Sequence, residues 1–383
     1  MQVRLLTVLF VVFIFNTIFF AVNEIEIVSD FVFVLISAIT CFAIVIFPKL
    51  IKEVLLNRKY LPFLLINILN LIYYLFFEFR DLDLESLKYF LARLSVFSII
   101  SLHINYCSTF FKTNFLKILY YLIFILGIVS LLFWPITFST RYYGVFTNPN
   151  ALGSIMSMGF AIKLLLFHEG RKKDIFELLL FFCLVLLSGS RISLFAILLV
   201  YIFKYGISFR LIAIIGFSLI FLYLTLDFFG KESGVNRLIS QEIFSNRSLA
   251  FEYAYETFKS KWFTGYGLSD YAHIDPELIS AIHEGIDIGA HNGYLALLVQ
   301  YGLFFAIGFF IILFISLFNV ISFVKLNFHN QHIKFYSFVV IFTLLNGFVE
   351  TMFTGINDFQ TCMFWLSFGY LYSEAYQWKR GLI

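Results

Sequence analysis

The chain has 383 residues, of which 61% are hydrophobic and 13% are charged, and its mean hydropathy is +0.91. This composition excludes an ordinary soluble globular protein, in which about 25% of residues are charged. The formal net charge of +3 says little about partners, because the distribution of Lys and Arg among the loops of a membrane protein is more informative than their sum. A nucleic-acid partner is not expected.

Apolar runs long enough to cross a bilayer recur along the whole chain. With about 20 apolar residues needed per span, the sequence predicts about twelve transmembrane helices, at residues 5–22, 31–48, 60–77, 94–111, 115–138, 151–167, 175–190, 192–209, 211–229, 293–323, 335–355 and 359–376. The first run lacks a small-residue cleavage site before Asn23, so we interpret it as a membrane helix and not as a secretory signal. The predicted fold is an all-α polytopic membrane protein.

Three parts follow from this pattern: helices 1–9 in residues 1–229, a long polar loop in residues 230–292, and helices 10–12 in residues 293–383. Alternate loops hold the basic residues Lys49, Lys52, Arg58, Lys59, Lys112, Lys117, Arg171, Lys172, Lys173, Lys204, Arg210, Lys325, Lys334, Lys379 and Arg380. Cytoplasmic loops carry the excess of Lys and Arg. Both termini are therefore predicted to be cytoplasmic, and the 230–292 loop extracytoplasmic.

The sequence indicates neither a disulfide framework nor a metal site. All four cysteines fall inside apolar runs and lack CxxC spacing. The polar loop contains His273, Asp275, Glu277, His283, Glu284 and Asp287, but their spacing matches no ligand motif. We therefore expect no metal and no other cofactor.

Four arginines lie on the predicted outer side, against the charge rule: Arg141, Arg191, Arg237 and Arg247. Arg191 ends a short polar SGSR segment, residues 188–191, between two apolar runs. An arginine in the membrane core costs about 2.5–3.5 kcal/mol on insertion scales, so it tends to face a cavity or pair with an anion. Its planar, permanently charged fork suits phosphate oxygens. An arginine that snorkels to the outer interface is the alternative.

Arg141 is followed by the NPN segment of residues 148–150, and then directly by a predicted span. Pro149 favours an extended Asn148, and Asn150 is predicted to cap the next helix through its side-chain oxygen. The start of that helix would offer N–H groups and a positive dipole end to an anion. A capped loop without any ligand explains the same residues.

Within the polar loop, aromatic residues recur at helical spacing: Phe251, Tyr255, Phe258 and Trp262. They predict an amphipathic helix of about four turns that lies on the outer membrane surface or over a cavity, with Ser245 or Asn246 as its N-cap. Arg247 falls in the first turn of this helix. An arginine that contacts only water or lipid headgroups is the alternative.

His291 stands at the start of the tenth predicted span, with Asn292 as a capping neighbour and Gly293 after it. The positive end of a helix dipole disfavours an imidazolium, so the ring would be neutral and able to accept a proton. A general base for a sugar hydroxyl needs this property. A polar interfacial residue that only helps to cap the helix is the alternative.

Together these segments resemble the O-antigen ligase and O-antigen polymerase superfamily of bacterial polysaccharide assembly. The resemblance covers residues 141–302 and rests on an ordered set: RxxG at 141–144 with NPN at 148–150, SGSR at 188–191, Arg247 with Trp262 and GxG at 265–267, and HNxxL at 291–295 with Gly302. Residues 1–130 add only topology.

The resemblance implies a metal-independent glycosyltransferase of the GT-C type in the bacterial cytoplasmic membrane, with its active site on the outer face. Its partners would be a glycan donor on undecaprenyl diphosphate, a glycan acceptor and the lipid bilayer, with a chain-length regulator as a further candidate. By this resemblance Arg191, Arg247 and Arg141 would hold the diphosphate and His291 would deprotonate the acceptor hydroxyl. The candidate supporting residues are Asn292, Asn148, Asn150 and Glu350.

Glu350 falls in the eleventh predicted span, where family members often carry an acidic residue, and an intramembrane carboxylate is a functional candidate. Pairing with an arginine for structure alone explains it equally well. For the whole protein, the sequence favours a polymerase of capsule or O-antigen repeat units. A ligase that transfers the finished glycan to a lipid or protein acceptor, and a lipid-linked glycan transporter, remain as alternatives.

Overall fold

A computed structural model describes residues 2–47, 49, 51–79, 83–136, 140–207, 245–270, 273–279 and 290–381. Within these residues the chain is helical, and one isolated antiparallel bridge joins Val22 to Phe146. The helices are α1 (Gln2–Phe19), α2 (Glu26–Ile46), α3 (Leu61–Tyr73), α4 (Leu84–Tyr106), α5 (Leu116–Phe133), α6 (Pro149–Ile162), α7 (Lys172–Ser188), α8 (Arg191–Tyr205), α9 (Ser245–Ser260), α10 (Gly293–Leu326), α11 (Gln331–Asn346) and α12 (Phe359–Lys379).

Each predicted span that lies in the described residues corresponds to a helix, because long apolar runs are stable in a bilayer only when their backbone groups bond internally. The predicted span 211–229 lies outside the described residues. In the part of the chain that the structure describes, six helical segments are long and apolar enough to cross a membrane: Glu26–Ile46, Arg58–Glu78, Leu84–Tyr106, Ser108–Phe133, Pro149–Phe167 and Gly293–Leu326. The chain is thus a helical protein with several membrane-spanning segments.

Two helices form the inside of the bundle. Helix α6 packs against α5, α7 and α8, and α12 packs against α4, α10 and α11. The Trp365 side chain of α12 is fully buried and lies 5.1 Å from Phe97 of α4 and 6.1 Å from Phe309 of α10, measured between ring centroids. Helix α2 lies at the periphery, where Phe31 and Phe42 are largely exposed, as expected of side chains that face lipid.

The loops that carry the candidate residues gather at one end of this bundle. The N–H of Asn23 donates to the carbonyl of Val145 (3.0 Å), and the N–H of Tyr142 donates to the carbonyl of Leu187 (3.0 Å). The loops after α1, α5 and α7 are therefore joined. The opposite end is marked by an ion pair between Lys112 and Glu374 (3.0 Å). Which end faces the cytoplasm remains a prediction from the charge pattern.

Helix α10 is interrupted at Gly302, whose φ of 68° and ψ of 176° are not helical. The loop after α9 fills the interruption: the N–H of Tyr266 donates to the carbonyl of Val299 (2.9 Å), and the N–H of Leu303 donates to the carbonyl of Trp262 (2.8 Å). Backbone groups left unpaired by a helix break must find partners when water is excluded. The loop supplies them, and α10 becomes a short first half, residues 293–301, and a long second half.

Candidate functional site

Arg141 is held in a fixed orientation by the end of one helix and the start of another. Its Nε donates to the carbonyl of Ser188 (2.8 Å), and its Nη2 donates to Oδ1 of Asn150 (2.7 Å). Ser188 ends α7, and Asn150 lies in the first turn of α6. Hydrogen bonds on two sides of a planar guanidinium fix its plane, which a single bond would not do. The structure thus places the SGSR segment and the NPN segment in contact with Arg141.

Asn148, and not Asn150, caps α6. Oδ1 of Asn148 accepts the N–H of Ala151 (2.9 Å), and Pro149 occupies the first helical position. The prediction for Asn150 was therefore wrong, because Pro at the first helical position places the cap on the residue before it. Asn150 is left to bind Arg141.

Helix α8 begins at Arg191, directly after a tight turn at Gly189, whose φ is 63°. This turn lies close to α6: a Cβ atom at Gly153 would come within 2.8 Å of Ser190 and Ser193. Only a glycine permits that approach, so Gly153 brings the starts of α6 and α8 together. The result is a group of two helix N-termini, Arg141 and Arg191 at one end of the bundle.

His291 forms a second group with the loop that follows α11. Its Nδ1 lies 3.6 Å from Oε2 of Glu350, and its side chain is 44% exposed. The backbone of His291 has a φ of 39°, a left-handed conformation that is uncommon for any residue except glycine. Backbone strain of this kind occurs at functional sites where the surroundings hold the residue in place.

The surroundings of His291 are the capping contacts of α10. Oδ1 of Asn292 accepts the N–H groups of Tyr294 and Leu295 (3.0 Å each), and its Nδ2 donates to the carbonyl of Phe348 (3.2 Å). The N–H of Gly293 donates to the carbonyl of Gly347 (2.8 Å). The capping role predicted for Asn292 is thus present in the structure, and the same side chain ties His291 to the 347–358 loop.

Glu350 does not lie within a membrane helix. Helix α11 ends at Asn346, and the N–H of Glu350 still donates to the Asn346 carbonyl (2.9 Å) as the chain turns away. The predicted span 335–355 was therefore too long at its end. Gly347, directly after Asn346, was an available signal for this end, since glycine commonly follows the last helical residue.

Arg247 lies in the first turn of α9, and its side chain is outside the described set. Helix α9 packs against α10, where Ala254 contacts Ala290 and Ala296 on either side of His291. Small residues let two helix backbones approach closely. Arg247 precedes Ala254 by seven residues, which is two helical turns or about 10 Å. The helix that carries Arg247 is therefore docked beside His291.

The amphipathic character of α9 differs from the prediction. Its buried face is formed by Ala250, Tyr253, Ala254 and Thr257, whereas Tyr255 and Trp262 are each 50% exposed. Tyr255 and Trp262 thus face away from the protein, as suits a helix that lies at a membrane interface, whereas Phe251 and Phe258 are partly buried. The small residues make the contact with α10 because they allow the closer approach.

The glycines of the GxG segment and Gly302 meet at the break in α10. A Cβ at Gly265 would overlap the backbone of Gly302, and a Cβ at Gly302 would overlap the carbonyl of Phe263. Both glycines have positive φ angles, 73° and 68°. These residues therefore shape the short half-helix that carries His291 at its start.

The two groups lie at the same end of the bundle. Helices α8 and α11 pack together, and Phe203 near the end of α8 lies 5.5 Å from Phe328, just before α11, and 6.0 Å from Phe338. The two helices are therefore antiparallel. The start of α8, with Arg191, faces the end of α11, where the 347–358 loop begins.

Among the residues that the structure describes, no three His, Cys, Asp or Glu side chains converge as metal ligands. Arg237, His283, Glu284 and Asp287 lie outside the described residues. His273 is described, and its ring lies 4.6 Å from that of Tyr266. The hydroxyl of Tyr266 donates to Asp275, and this hydrogen bond holds the pKa of Asp275 below its usual value.

Sequence reasoning missed three polar residues that support the site. Glu78 accepts the N–H of Leu268 (2.7 Å), and Gln300 donates to the carbonyl of Leu268 (2.5 Å), so both fix the loop in the α10 break. Arg93 is buried and donates to the carbonyl of Thr354 (2.8 Å). Only Arg93 carried a signal in the sequence, because a basic residue at the edge of a span requires a partner.

No curated protein matches the chain. Residues 176–310, about a third of the chain, match the family model described as O-antigen ligase. This match runs from α7 into α10 and includes Arg191, Arg247 and His291, whereas Arg141 and Glu350 lie outside it. Over this segment the chain is similar to O-antigen ligases, which confirms its resemblance to the O-antigen ligase and O-antigen polymerase superfamily.

Proposed function

We propose that this protein is a polysaccharide polymerase that joins undecaprenyl-diphosphate-linked repeat units on the outer face of the bacterial cytoplasmic membrane. The observation that carries the proposal is the pairing of His291 with Glu350 at the start of α10. An exposed imidazole beside a carboxylate is the arrangement expected of a general base. The arginine groups nearby suit the diphosphate of the donor.

On the acceptor side, the chemistry starts with a sugar hydroxyl. Nδ1 of His291 faces Glu350, so Nε2 is the nitrogen that accepts the hydroxyl proton. The hydroxyl oxygen then forms a bond to the anomeric carbon of the donor, and the bond from that carbon to the diphosphate breaks. The Glu350 carboxylate stabilises the imidazolium that results, because an opposite charge within about 4 Å favours the charged form.

On the donor side, undecaprenyl diphosphate departs with additional negative charge. Arg141 is pre-oriented by Ser188 and Asn150, Arg191 opens α8, and Arg247 lies in the first turn of α9, which packs against α10. Fixed cationic groups that face a developing charge lower the barrier without having to reorganise. We assign the diphosphate to this part of the site.

A polymerase and a ligase share this donor chemistry and differ in the acceptor. We favour a lipid-linked repeat unit as the acceptor, in keeping with the prediction from the sequence. A transporter would need charged residues distributed along the spans to line a path through the membrane, whereas the candidate residues Arg141, Arg191 and His291 gather at one end of the bundle.

The test is a reconstituted reaction. Purified protein is incubated in lipid nanodiscs with its lipid-linked repeat unit alone, and the glycan products are resolved by length. The variants are His291→Asn and Glu350→Gln, with His329→Ala as a control because His329 is an exposed histidine between α10 and α11, at the far end of the bundle. Asparagine tolerates a positive φ better than other residues, so His291→Asn removes the base without adding backbone strain.

The proposal predicts a ladder of products from the wild-type protein and from His329→Ala, and a fall of about 10²–10⁴-fold for His291→Asn. A single transfer that appears only when a separate acceptor is supplied would identify a ligase instead. Movement of the labelled lipid across the bilayer without any new glycosidic bond would refute glycosyl transfer and support a transporter.

A further inference from the structure

Arg93 is a buried arginine in the middle of α4, and the reaction steps proposed above do not use it. Its side chain is almost fully buried, and its Nη2 donates both to the hydroxyl of Tyr89 (2.6 Å) and to the carbonyl of Thr354 (2.8 Å). The rings of Tyr89, Phe97 and Trp365 lie 5.4–5.8 Å from the guanidinium carbon. Both hydrogen-bond acceptors are neutral, so the aromatic faces also stabilise the charge.

The Thr354 carbonyl belongs to the 347–358 loop, which carries Glu350. Tyr89 binds the same carbonyl (2.8 Å), so two side chains of α4 converge on one backbone oxygen. The loop is also fixed at its first residues, where Gly347 and Phe348 bind the start of α10, and at its last residue, where Asp358 caps α12. The Thr354 carbonyl is the anchor between these two ends.

The loop needs such an anchor because its backbone is strained. Phe353, directly before Thr354, has a φ of 76° and is fully buried. A bulky residue rarely adopts this conformation and retains it only where the surroundings fix it. The Phe353 ring packs against the rings of Tyr294 (5.4 Å) and Phe364 (5.2 Å). Because Tyr294 lies in the first turn of α10, Phe353 connects the Thr354 anchor to the start of that helix. A loop released from Arg93 would relax at this point.

We propose that Arg93 is a positioning residue: it holds the 347–358 loop so that the Glu350 carboxylate lies beside His291. The inference rests on the proposed function, in which Glu350 supports the general base. Arg93 acts through Glu350 and does not contact the reacting atoms. A lysine at this position keeps the charge and one donor, whereas a methionine removes both and fills a similar volume.

The test is a double-mutant cycle between Arg93→Met and Glu350→Gln, measured as kcat per folded, monodisperse protein. If Arg93 acts through Glu350, Arg93→Met lowers kcat about tenfold or more in the wild-type background and by less than twofold in the Glu350→Gln background. Interacting residues show this non-additivity, whereas independent losses multiply. Arg93→Lys should recover part of the lost rate.

The matched control is His103→Ala, which removes another buried side chain of α4 ten residues further along, where it stacks on Phe10. Its effect on kcat should be small and equal in both backgrounds. If Arg93→Met does not fold, Tyr89→Phe replaces it in the cycle, because that change removes one hydrogen bond to Thr354 and retains the ring. An equal loss of kcat in both backgrounds, for whichever variant is used, would overturn the proposal.

Hydrogen exchange gives a readout that does not depend on activity. Arg93→Met should increase the exchange rate of residues 347–358 and leave that of residues 331–346 unchanged. An increase in both peptides would mean a general loss of structure and would contradict the proposal. Failure of the proposed function and failure of the Arg93 proposal give different results. Full activity of both Glu350→Gln and His291→Asn would refute the proposed function. A reduced kcat in Glu350→Gln together with a wild-type kcat in folded Arg93→Met would refute only the role of Arg93.

Discussion

The interruption of α10 at Gly302 predicts that Gly302→Ala is strongly destabilising although alanine is normally favoured in a helix. The φ of Gly302 is 68°, and a Cβ at this position would overlap the carbonyl of Phe263. A left-handed backbone costs a non-glycine residue about 1–2 kcal/mol, and overpacking costs about 1–3 kcal/mol. The overlapping atoms are backbone and cannot rotate away, so we expect a total of about 2–5 kcal/mol.

Gly308→Ala is the matched control in the same helix. A Cβ at Gly308 would approach only the end of the Leu69 side chain, at 3.0 Å, and the position is helical. Glycine in a helix interior is about 0.5–1 kcal/mol less favourable than alanine, so Gly308→Ala should be neutral or stabilising.

The assay is thermal unfolding of the purified protein in detergent, followed by size-exclusion chromatography, beside the glycan-transfer reaction. Gly302→Ala should lower the unfolding midpoint by about 5 °C or more, since 1 kcal/mol corresponds to about 2–4 °C in domains of 150–250 residues. It should also reduce transfer, because the half-helix that begins beside His291 loses its fixed direction. Equal midpoints for Gly302→Ala and Gly308→Ala would show that α10 is continuous and would refute this account.

Asn292→Ala should lower stability by about 0.5–2 kcal/mol through loss of the cap and should reduce transfer further by releasing Phe348. Asn292→Asp should keep the cap but lose the bond to Phe348, so its transfer should also be reduced, and wild-type transfer by Asn292→Asp would contradict that link. Arg141→Lys should raise the donor KM about tenfold with a smaller change in kcat, because an ammonium cannot replace a planar guanidinium that Ser188 and Asn150 hold in place. An unchanged KM would exclude Arg141 from donor binding. The hydrogen bond from Tyr266 lowers the pKa of Asp275. This bond therefore stabilises the loop fully above pH about 4, and the stabilisation is lost as the pH falls through the lowered pKa. In limited proteolysis, the loop of Tyr266→Phe should therefore be cleaved faster than that of the wild type, and the ratio of the two rates should be larger at pH 6 than at pH 3. An equal ratio at both pH values would contradict the linkage.

The sequence predicts the helices of this protein well because their signal is local. An apolar run of about 20 residues has one stable conformation in a bilayer, and every predicted span in the described residues corresponds to a helix. The break at Gly302 has no local signal, since Gly302 lies in an apolar run that reads as one span. It depends on residues 262–267, which are distant in sequence and reach α10 only in the folded protein.

For the candidate site, the sequence predicted individual residues but not the contacts between them. His291, Asn292, Arg141 and Asn150 all lie at the bundle end described above, but only the structure pairs His291 with Glu350 and Arg141 with Asn150. Two errors could have been avoided with signals already in the chain. Pro149 identifies the preceding residue as the cap, and the small residues of α9 mark the face that contacts another helix.

The capping of the three helix starts distinguishes α8 from α6 and α10. Asn292 binds two N–H groups of α10 with its own side chain, and Asn148 binds one of α6. Ser190 makes no such capping bond to α8, and its hydroxyl oxygen instead accepts a hydrogen bond from Ser193 (2.8 Å). A helix start that its own cap residue does not satisfy favours an anion at its positive end. This difference supports the start of α8, with Arg191, as the position of the diphosphate, and the start of α10, with His291, as the position of the acceptor.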